Sequence, residues 1–267
     1  VQALFAKVKE LAAQNKEKEA RLEELEKQIN ETLFALPNLP DEDLLEGGKE
    51  NNKPIYYFGE KPEAKFPIKS HVDLAESLGL IDYERGAKVS GHGCWFYTNL
   101  GARLEWALVN FFINEHLNDG FTFMLPPHIL NYESGFTAGQ FPKFEEDVFA
   151  LKGIEPFKFM LPTAETALVN YHRNEILSVD ELPKKYFAYT PCYRKEAGAY
   201  RSEERGMIRG YQFNKVEMVE YTTEDDSDRA FEELVNKAKT LVEKDPKNWV
   251  EDEKIFKDIF LQKSPEE

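Results

Sequence analysis

Two cysteines in 267 residues, Cys94 and Cys192, are too few and too far apart for a zinc cluster or a secreted disulfide framework, so free thiols are expected. No apolar run approaches the roughly 20 residues needed to cross a bilayer. No pattern of basic, apolar and small-residue regions marks a signal peptide, although the sequence opens on Val1 rather than Met. A cytoplasmic protein with no membrane partner is the expectation. Positive charge is scarce as well: 34 Lys and Arg stand against 49 Asp and Glu, a formal net charge of −15. That balance excludes a protein whose whole surface grips nucleic acid, because phosphate neutralisation supplies most non-specific affinity. A local patch remains open. From Tyr193 to Arg209 five cations (Arg194, Lys195, Arg201, Arg205, Arg209) face three carboxylates (Glu196, Glu203, Glu204), and such a loop could meet a phosphate backbone.

With 42% hydrophobic and 13% aromatic residues, the chain can bury a core as one large domain or one domain plus an appendage. Residues 1 to about 35 read as one long helix in which Leu4, Val8, Leu11, Asn15, Lys18, Leu22, Leu25 and Ile29 recur in alternating steps of four and three. An amphipathic helix cannot bury its own seam, so it needs a partner, either in an arm or in a dimerising coiled coil. Residues 41–68 are acidic and broken by Gly47, Gly48, Pro54 and Pro62, as a linker would be. Ser70 to Asp73 form a capping-box pattern ahead of a short helix whose apolar side is Val72, Leu74, Leu78 and Leu80, ending at Gly79. Leu100 to Asn118 has helical spacing and stops at Gly120; Gly120 to Pro127 reads as a strand.

Phe136 to Phe149 fits neither periodicity and reads as a loop over a site. Phe157 to Leu161 reads as a strand, and Thr163-Ala164-Glu165 opens a helix predicted over Thr166 to Leu177. In isolation Thr163 is a good N-cap and Glu165 a good partner for the helix dipole. Two further strands, Tyr186 to Arg194 and Met207 to Thr222, flank a polar loop with Gly198 and Gly206. Alternation puts Thr190, Cys192, Arg194 and Glu196 on one face of the first strand. On the second, Arg209, Tyr211, Phe213, Lys215 and Glu217 share a face. An Arg fork matches phosphate, a Phe offers a plane to a purine, and a carboxylate accepts from an ammonium or hydroxyl. By residue type alone, a solvated hairpin with cross-strand ion pairs accounts for the same pattern. A helix with Phe231, Leu234, Val235, Ala238, Leu241 and Val242 follows, then Pro246 and a second apolar pattern through Trp249, Ile255, Phe256, Ile259 and Phe260.

The order of residues separates these readings. TPCYRKEAG followed by RGMIRGYQFNKVEM resembles motif 2 of the class II aminoacyl-tRNA synthetases in its seryl-tRNA synthetase form, with Arg194, Glu196, Gln212, Phe213, Lys215, Val216 and Glu217 at the matching places. Gly120 to Pro127 with the preceding helix is similar to motif 1, Phe136 to Phe149 to a Gly-Gln-x-Pro-Lys-Phe stretch, and Thr163-Ala164-Glu165 to the Thr-x-Glu signature for the amino acid. Tyr211, where a His is usual, and Ala199-Tyr200-Arg201, in place of a smaller run, depart from the family and put acceptor-stem contacts in question.

The resemblance implies an α/β catalytic domain of the α+β type, with an antiparallel sheet flanked by helices and preceded by the long N-terminal helix. It implies a partial tRNA-binding arm (1–40), a linker (41–68), a core with motifs 1 and 2 (69–222) and a helical C-terminal segment (223–267). The implied reaction joins serine and ATP to seryl-adenylate and transfers serine to a serine tRNA, with a homodimer formed through residues 100–127. Arg194 would steady the α-phosphate, Lys195, Glu196 and Phe213 would seat ATP, and Thr163, Ala164, Glu165 and Glu217 would receive serine. Mg2+ is implied too, but the Glu and Ser that would hold it, and the Arg of motif 3, are not found before Glu267. Little serine-dependent exchange is therefore expected of the chain alone. The competing expectations are a divergent synthetase-like paralogue that binds tRNA or adenylate without full activity, and a structural dimer. Glu217→Gln is expected to weaken adenylate binding while leaving the melting temperature almost unchanged.

Overall fold

The computed structural model describes residues 2–42, 44–59, 63–196 and 206–244. The chain divides into two compact units, 1–57 and 58–267. In the first, α1 (Gln2–Ala35) is one helix with no buried residue. Leu4, Val8, Leu11, Leu22, Leu25 and Ile29 are all exposed. One-turn pairs such as Gln14 with Glu10 and Lys27 with Glu31 lie along its polar surface.

The second unit begins its regular structure at α2 (His71–Ser77), where the expected capping box forms: Ser70 Oγ accepts from the Asp73 N–H at 3.1 Å. The buried residue of α2 is Ala75, whereas Leu74 and Leu78 are exposed, because so short a helix presents only one side chain to the packed interior. Next come β1 (Ile81–Asp82), α3 (Tyr83–Ser90) and β2 (Phe96–Tyr97), with β1 and β2 antiparallel. The helix α4 (Leu100–Asn118) has the limits its periodicity predicts. A Cβ on Gly101 would lie 2.0 Å from the Leu80 carbonyl oxygen, so only glycine allows its first turn so close to that backbone.

The central sheet has the order β3 (Thr122–Met124), β6 (Lys184–Tyr193), β7 (Gln212–Tyr221). β6 and β7 are antiparallel over ten residues, while β3 joins parallel to β6. β4 (Ile129–Asn131) and β5 (Lys158–Met160) form a separate antiparallel pair, and α5 (Tyr132–Thr137), α6 (Ala164–Leu168) and α7 (Ser227–Glu243) complete the described elements. The expected C-terminal pattern after residue 244, and the loop residues 197–205 with Gly198, Ala199, Tyr200, Arg201, Glu203, Glu204 and Arg205, lie outside the described residues.

Strand alternation gives the central sheet two different faces. Phe187 and Tyr189 turn to α4, packing on His116 and Trp106. Ala188, Thr190 and Cys192 turn the other way and are wholly buried, Ala188 against Ala164 and Leu168 of α6 and Cys192 in a cluster with Leu130, Phe141, Phe159 and Leu161.

α7 docks through charges. Lys185 of β6 donates to Glu233 at 2.7 Å, and Lys237 reaches Asp119 at 3.0 Å. Among the described residues, Glu220 of β7 is buried there with neither carboxylate oxygen hydrogen-bonded, its nearest cation being Lys185 at 3.8 Å. Burial pushes its pKa up, against the pull of Lys185. A carboxyl whose folded pKa is raised contributes most stability below its unfolded pKa, and that contribution is lost as pH rises through the folded value. Glu220→Gln should therefore raise the melting temperature at neutral pH and leave it nearly unchanged at acid pH. Thermal melts across that range decide the point, and an equal or lower melting temperature at neutral pH would show that Lys185 offsets the burial.

Candidate active site

A cavity of about 540 Å³ opens beside the α6 face of β6 and β7. Its outer wall is the stretch read as a loop over a site, since Ala138, Gly139, Gln140, Phe144, Asp147 and Val148 all line it. That stretch is anchored from below: Phe141 and Val148 are buried, and Gln140 accepts a hydrogen bond from Thr166 at 3.0 Å.

The opposite wall brings Thr163 and Glu165 together with Arg194, Glu196, Arg209 and Lys215. Arg194 follows β6 directly, its backbone N–H donating to the Tyr211 carbonyl at 3.0 Å. Its Nε donates to the Pro162 carbonyl at 3.0 Å and its guanidinium lies 5.2 Å from the centre of the Phe213 ring. The ring expected to stack on a purine thus faces Arg194 and the apolar cluster of Cys192. Lys195 is turned aside, its N–H and Nζ donating to the Asp147 and Glu146 carbonyls, and ties the end of β6 to the outer wall.

The expected strand faces stop short of Glu196 and Arg209. Glu196 has φ 51°, which ends the alternation after Arg194. Gly206–Ile208 is a 3-10 turn and β7 starts only at Gln212. The reason is a competing partner: the Tyr211 N–H donates to the Gly93 carbonyl at 3.1 Å, so this segment pairs with residue 93 before it reaches β6. Glu196 and Arg209 meet all the same, as an ion pair on the cavity wall.

The helix after Thr163 differs from its expectation too. It starts at Ala164 and ends at Leu168, beyond which the chain turns. Val169, Asn170, Tyr171 and His172 are weak helix formers, and the Asn170 amide bonds the Ser134 and Thr166 carbonyls. Thr163 occupies the N-cap position without capping by its side chain. Glu217 caps instead. Its Oε2 accepts from the Thr163 hydroxyl at 2.5 Å and from the Glu165 N–H at 2.9 Å, while its Oε1 takes Lys215 Nζ at 2.9 Å. Lys215 also reaches Thr163 Oγ1 at 2.6 Å. Ala164 is buried beneath this cluster, and Glu217 stands behind the lining.

Glu165 is open to solvent but sits on a concave wall that displaces much of its hydration. Burial there pushes its carboxyl above the ordinary range, Glu217 adds to the rise, and Lys215 and Arg194 oppose it. One wall of the cavity thus gathers three cations with the Thr163 hydroxyl and with Glu165, whose pKa is raised. Such a set fits a phosphorylated nucleotide joined to a small ammonium-bearing group. Arg209 and Lys215 were not singled out as site residues in sequence; Lys215 could have been found, since it shares a strand face with Phe213 and Glu217. Among the described residues no group of three or more His, Cys, Asp or Glu side chains could hold a metal ion, so no step is assigned to Mg2+.

Residues 155–247 match the class II core domain of the tRNA synthetases for G, H, P, S and T. Serine–tRNA ligase 2 of Clostridium acetobutylicum is 59% identical over 90% of this chain and 57% of its own length, and the serine–tRNA ligase of Myxococcus xanthus 44% over 84% and 53%. A crystal structure of seryl-tRNA synthetase from Pyrococcus horikoshii complexed with ATP superposes with a TM-score of 0.84 at 32% identity, covering 90% of this chain and 58% of that one. A cytoplasmic serine–tRNA ligase from Naegleria fowleri in complex with AMP gives 0.77 at 25% identity, over 84% and 54%. Over residues 155–247 the chain carries the core domain of the class II tRNA synthetases. Within that class its similarity is to the serine–tRNA ligases, and it spans about half the length of the curated relatives it matches. No helix among the described residues is long and apolar enough to cross a membrane.

Proposed function

We propose that this chain forms part of a cytoplasmic serine–tRNA ligase that activates serine with ATP and transfers it to a serine tRNA. The observation that supports this most is the cavity wall that gathers Arg194, Arg209 and Lys215 with Thr163 and Glu165. In the first step the serine carboxylate attacks the α-phosphorus and the bond to pyrophosphate breaks. Arg194, already oriented by Pro162, steadies the charge on the α-phosphate, and Arg209 and Lys215 take the charge beyond it. In the second step a terminal ribose hydroxyl attacks the seryl carbonyl and AMP leaves. The rate comes from positioning and charge stabilisation, with little acid–base chemistry. Phe213 would meet adenine only if Arg194 moved off its ring, and Glu196 would seat the nucleotide through its pair with Arg209. Lys195 supports the outer wall. Glu165 receives the serine ammonium and Thr163 meets the hydroxyl, both held in place from behind by Glu217. A non-hydrolysable seryl-adenylate analogue should raise the melting temperature by mass action, and the alanyl analogue should do so less. No rise, or an equal rise, would count against serine.

The ammonium needs Glu165 ionised. Because burial raises this carboxyl's pKa, affinity for the analogue should climb with pH through the raised value and level off above it. Calorimetric titration at several pH values tests this: Glu165→Gln should flatten the profile, and an unchanged slope would place the ammonium elsewhere.

We also propose a homodimer through residues 100–127. Phe111 is buried within the chain, but Trp106, Leu117, Phe123 and Leu125 are exposed along that stretch. Light scattering at micromolar concentration should give twice the monomer mass; a monomer would overturn it.

A further inference from the structure

We propose that Gln140 is a specificity-determining residue for the amino acid, its side-chain amide donating to the oxygen of the ligand's hydroxyl, an inference that rests on the serine reading above. Thr163 sets the requirement. Its hydroxyl has one hydrogen to give and two positions at which to accept. The hydrogen goes to Glu217 Oε2 at 2.5 Å, and one accepting position takes Lys215 Nζ at 2.6 Å. A single accepting position is left, so a ligand hydroxyl that meets Thr163 can only donate to it. The oxygen of that hydroxyl then needs a donor of its own, or it is buried unsatisfied.

Gln140 is placed to supply it. Among the described residues that line the cavity, Gln140 and Thr163 are the uncharged side chains with a hydrogen to donate, and the cations Arg194, Arg209 and Lys215 serve the phosphates. Thr166 is wholly buried, and among the described residues its hydroxyl has no acceptor but Gln140 Oε1, at 3.0 Å. The oxygen end of the amide therefore faces Thr166, and the nitrogen end has no hydrogen-bond partner among the described residues. Thr166 lies one turn beyond Thr163, a spacing that puts Cβ atoms about 5–6 Å apart, so the amide is held beside the group that the ligand hydroxyl meets. The backbone of Gln140 is fixed as well: its N–H donates to the Gly135 carbonyl at 3.0 Å and its carbonyl accepts from the Phe144 N–H at 2.8 Å. The neighbouring Phe141 is buried against bare Gly135, where a Cβ would lie 2.4 Å from the ring. With the amide in place before a ligand arrives, little ordering entropy opposes its use. An alanyl ligand leaves both the amide hydrogen and the last accepting position of Thr163 unpaired, which is how a site built around a hydroxyl rejects the analogue lacking it.

The quantity to measure is the ratio of affinities for the seryl- and alanyl-adenylate analogues, by calorimetry. Gln140→Met keeps the length of the side chain and removes both amide hydrogens, and it should narrow that ratio by about 2- to 12-fold, the net worth of one neutral hydrogen bond. Thr166→Val keeps the buried shape but frees the amide from its anchor, so it should narrow the ratio by a smaller factor; it also serves if Gln140→Met does not fold. A merely structural role would weaken both analogues alike and leave the ratio where it was, and that result would overturn the proposal. Unchanged affinity for both analogues in the two variants would do the same. Failure of the serine reading looks different. If the unaltered protein binds neither analogue, or binds them equally, the serine site falls and Gln140 with it; if it prefers the seryl analogue and the variants keep that preference undiminished, Gln140 alone is removed.

Discussion

Arg194→Ala is expected to weaken binding of a seryl-adenylate analogue by about 1.5–3 kcal/mol, the range for a hydrogen bond to a charged group, with only a small fall in melting temperature. One of the five guanidinium donors is used on the Pro162 carbonyl, and the ring of Phe213 fixes the plane, so the rest of the fork is preorganised at the cavity. Little of that binding energy need go into ordering the side chain, which is why its loss should show in affinity more than in folding. Arg194→Lys should recover part of the affinity, since it returns the charge without the planar fork. Calorimetry on the three proteins decides the matter; unaltered affinity in the alanine variant would remove Arg194 from the phosphate site.

Glu217→Ala is expected to act on both folding and binding, lowering stability by about 2–3 kcal/mol and abolishing measurable analogue binding. The carboxylate caps α6 through Thr163 and Glu165 and balances Lys215, so removing it leaves a hydroxyl and a helix N–H without their acceptor and a partly buried ammonium without its counter-charge. Glu217→Gln is the informative comparison. Its amide oxygen can still accept from Thr163 and from the Glu165 N–H, but the attraction to Lys215 is gone, so part of the stability should be lost with it. The expectation from sequence was a melting temperature almost unchanged, and the capping geometry argues against it. Thermal melts of both variants without ligand test this: if neither melts lower, the contacts to Thr163 and Lys215 carry no weight in the folded protein.

Much of the fold could be read from local pattern. The α4 limits follow from apolar spacing and from Gly120, which takes φ 80° just past the helix end. The Ser70 capping box and the alternation along β6 and β7 are equally local, and the match to motif 2 brought Arg194, Glu196, Phe213 and Glu217 into one account. The misreadings have local causes with distant partners. The apolar neighbours of Arg209 predict a strand there, whereas residue 93 captures the Tyr211 N–H before β6 can. The helix after Thr163 is shorter than its pattern predicts because Asn170 is held by Ser134, 36 residues earlier.

By itself the sequence determined which residues could do the chemistry and which faces of which elements they would share, since helical and strand periods depend only on backbone geometry. Tertiary structure decided which of them line the cavity. Glu217 was turned from a pocket wall into the cap of α6 by a hydroxyl and an N–H more than fifty residues away. Lys195 was drawn to the outer wall, Arg209 was brought to Glu196, and the Glu165 carboxyl was lifted by its surroundings. Hydrogen bonding and desolvation at these positions depend on atoms that the folded chain brings together from distant segments, and no local period in the sequence carries that information.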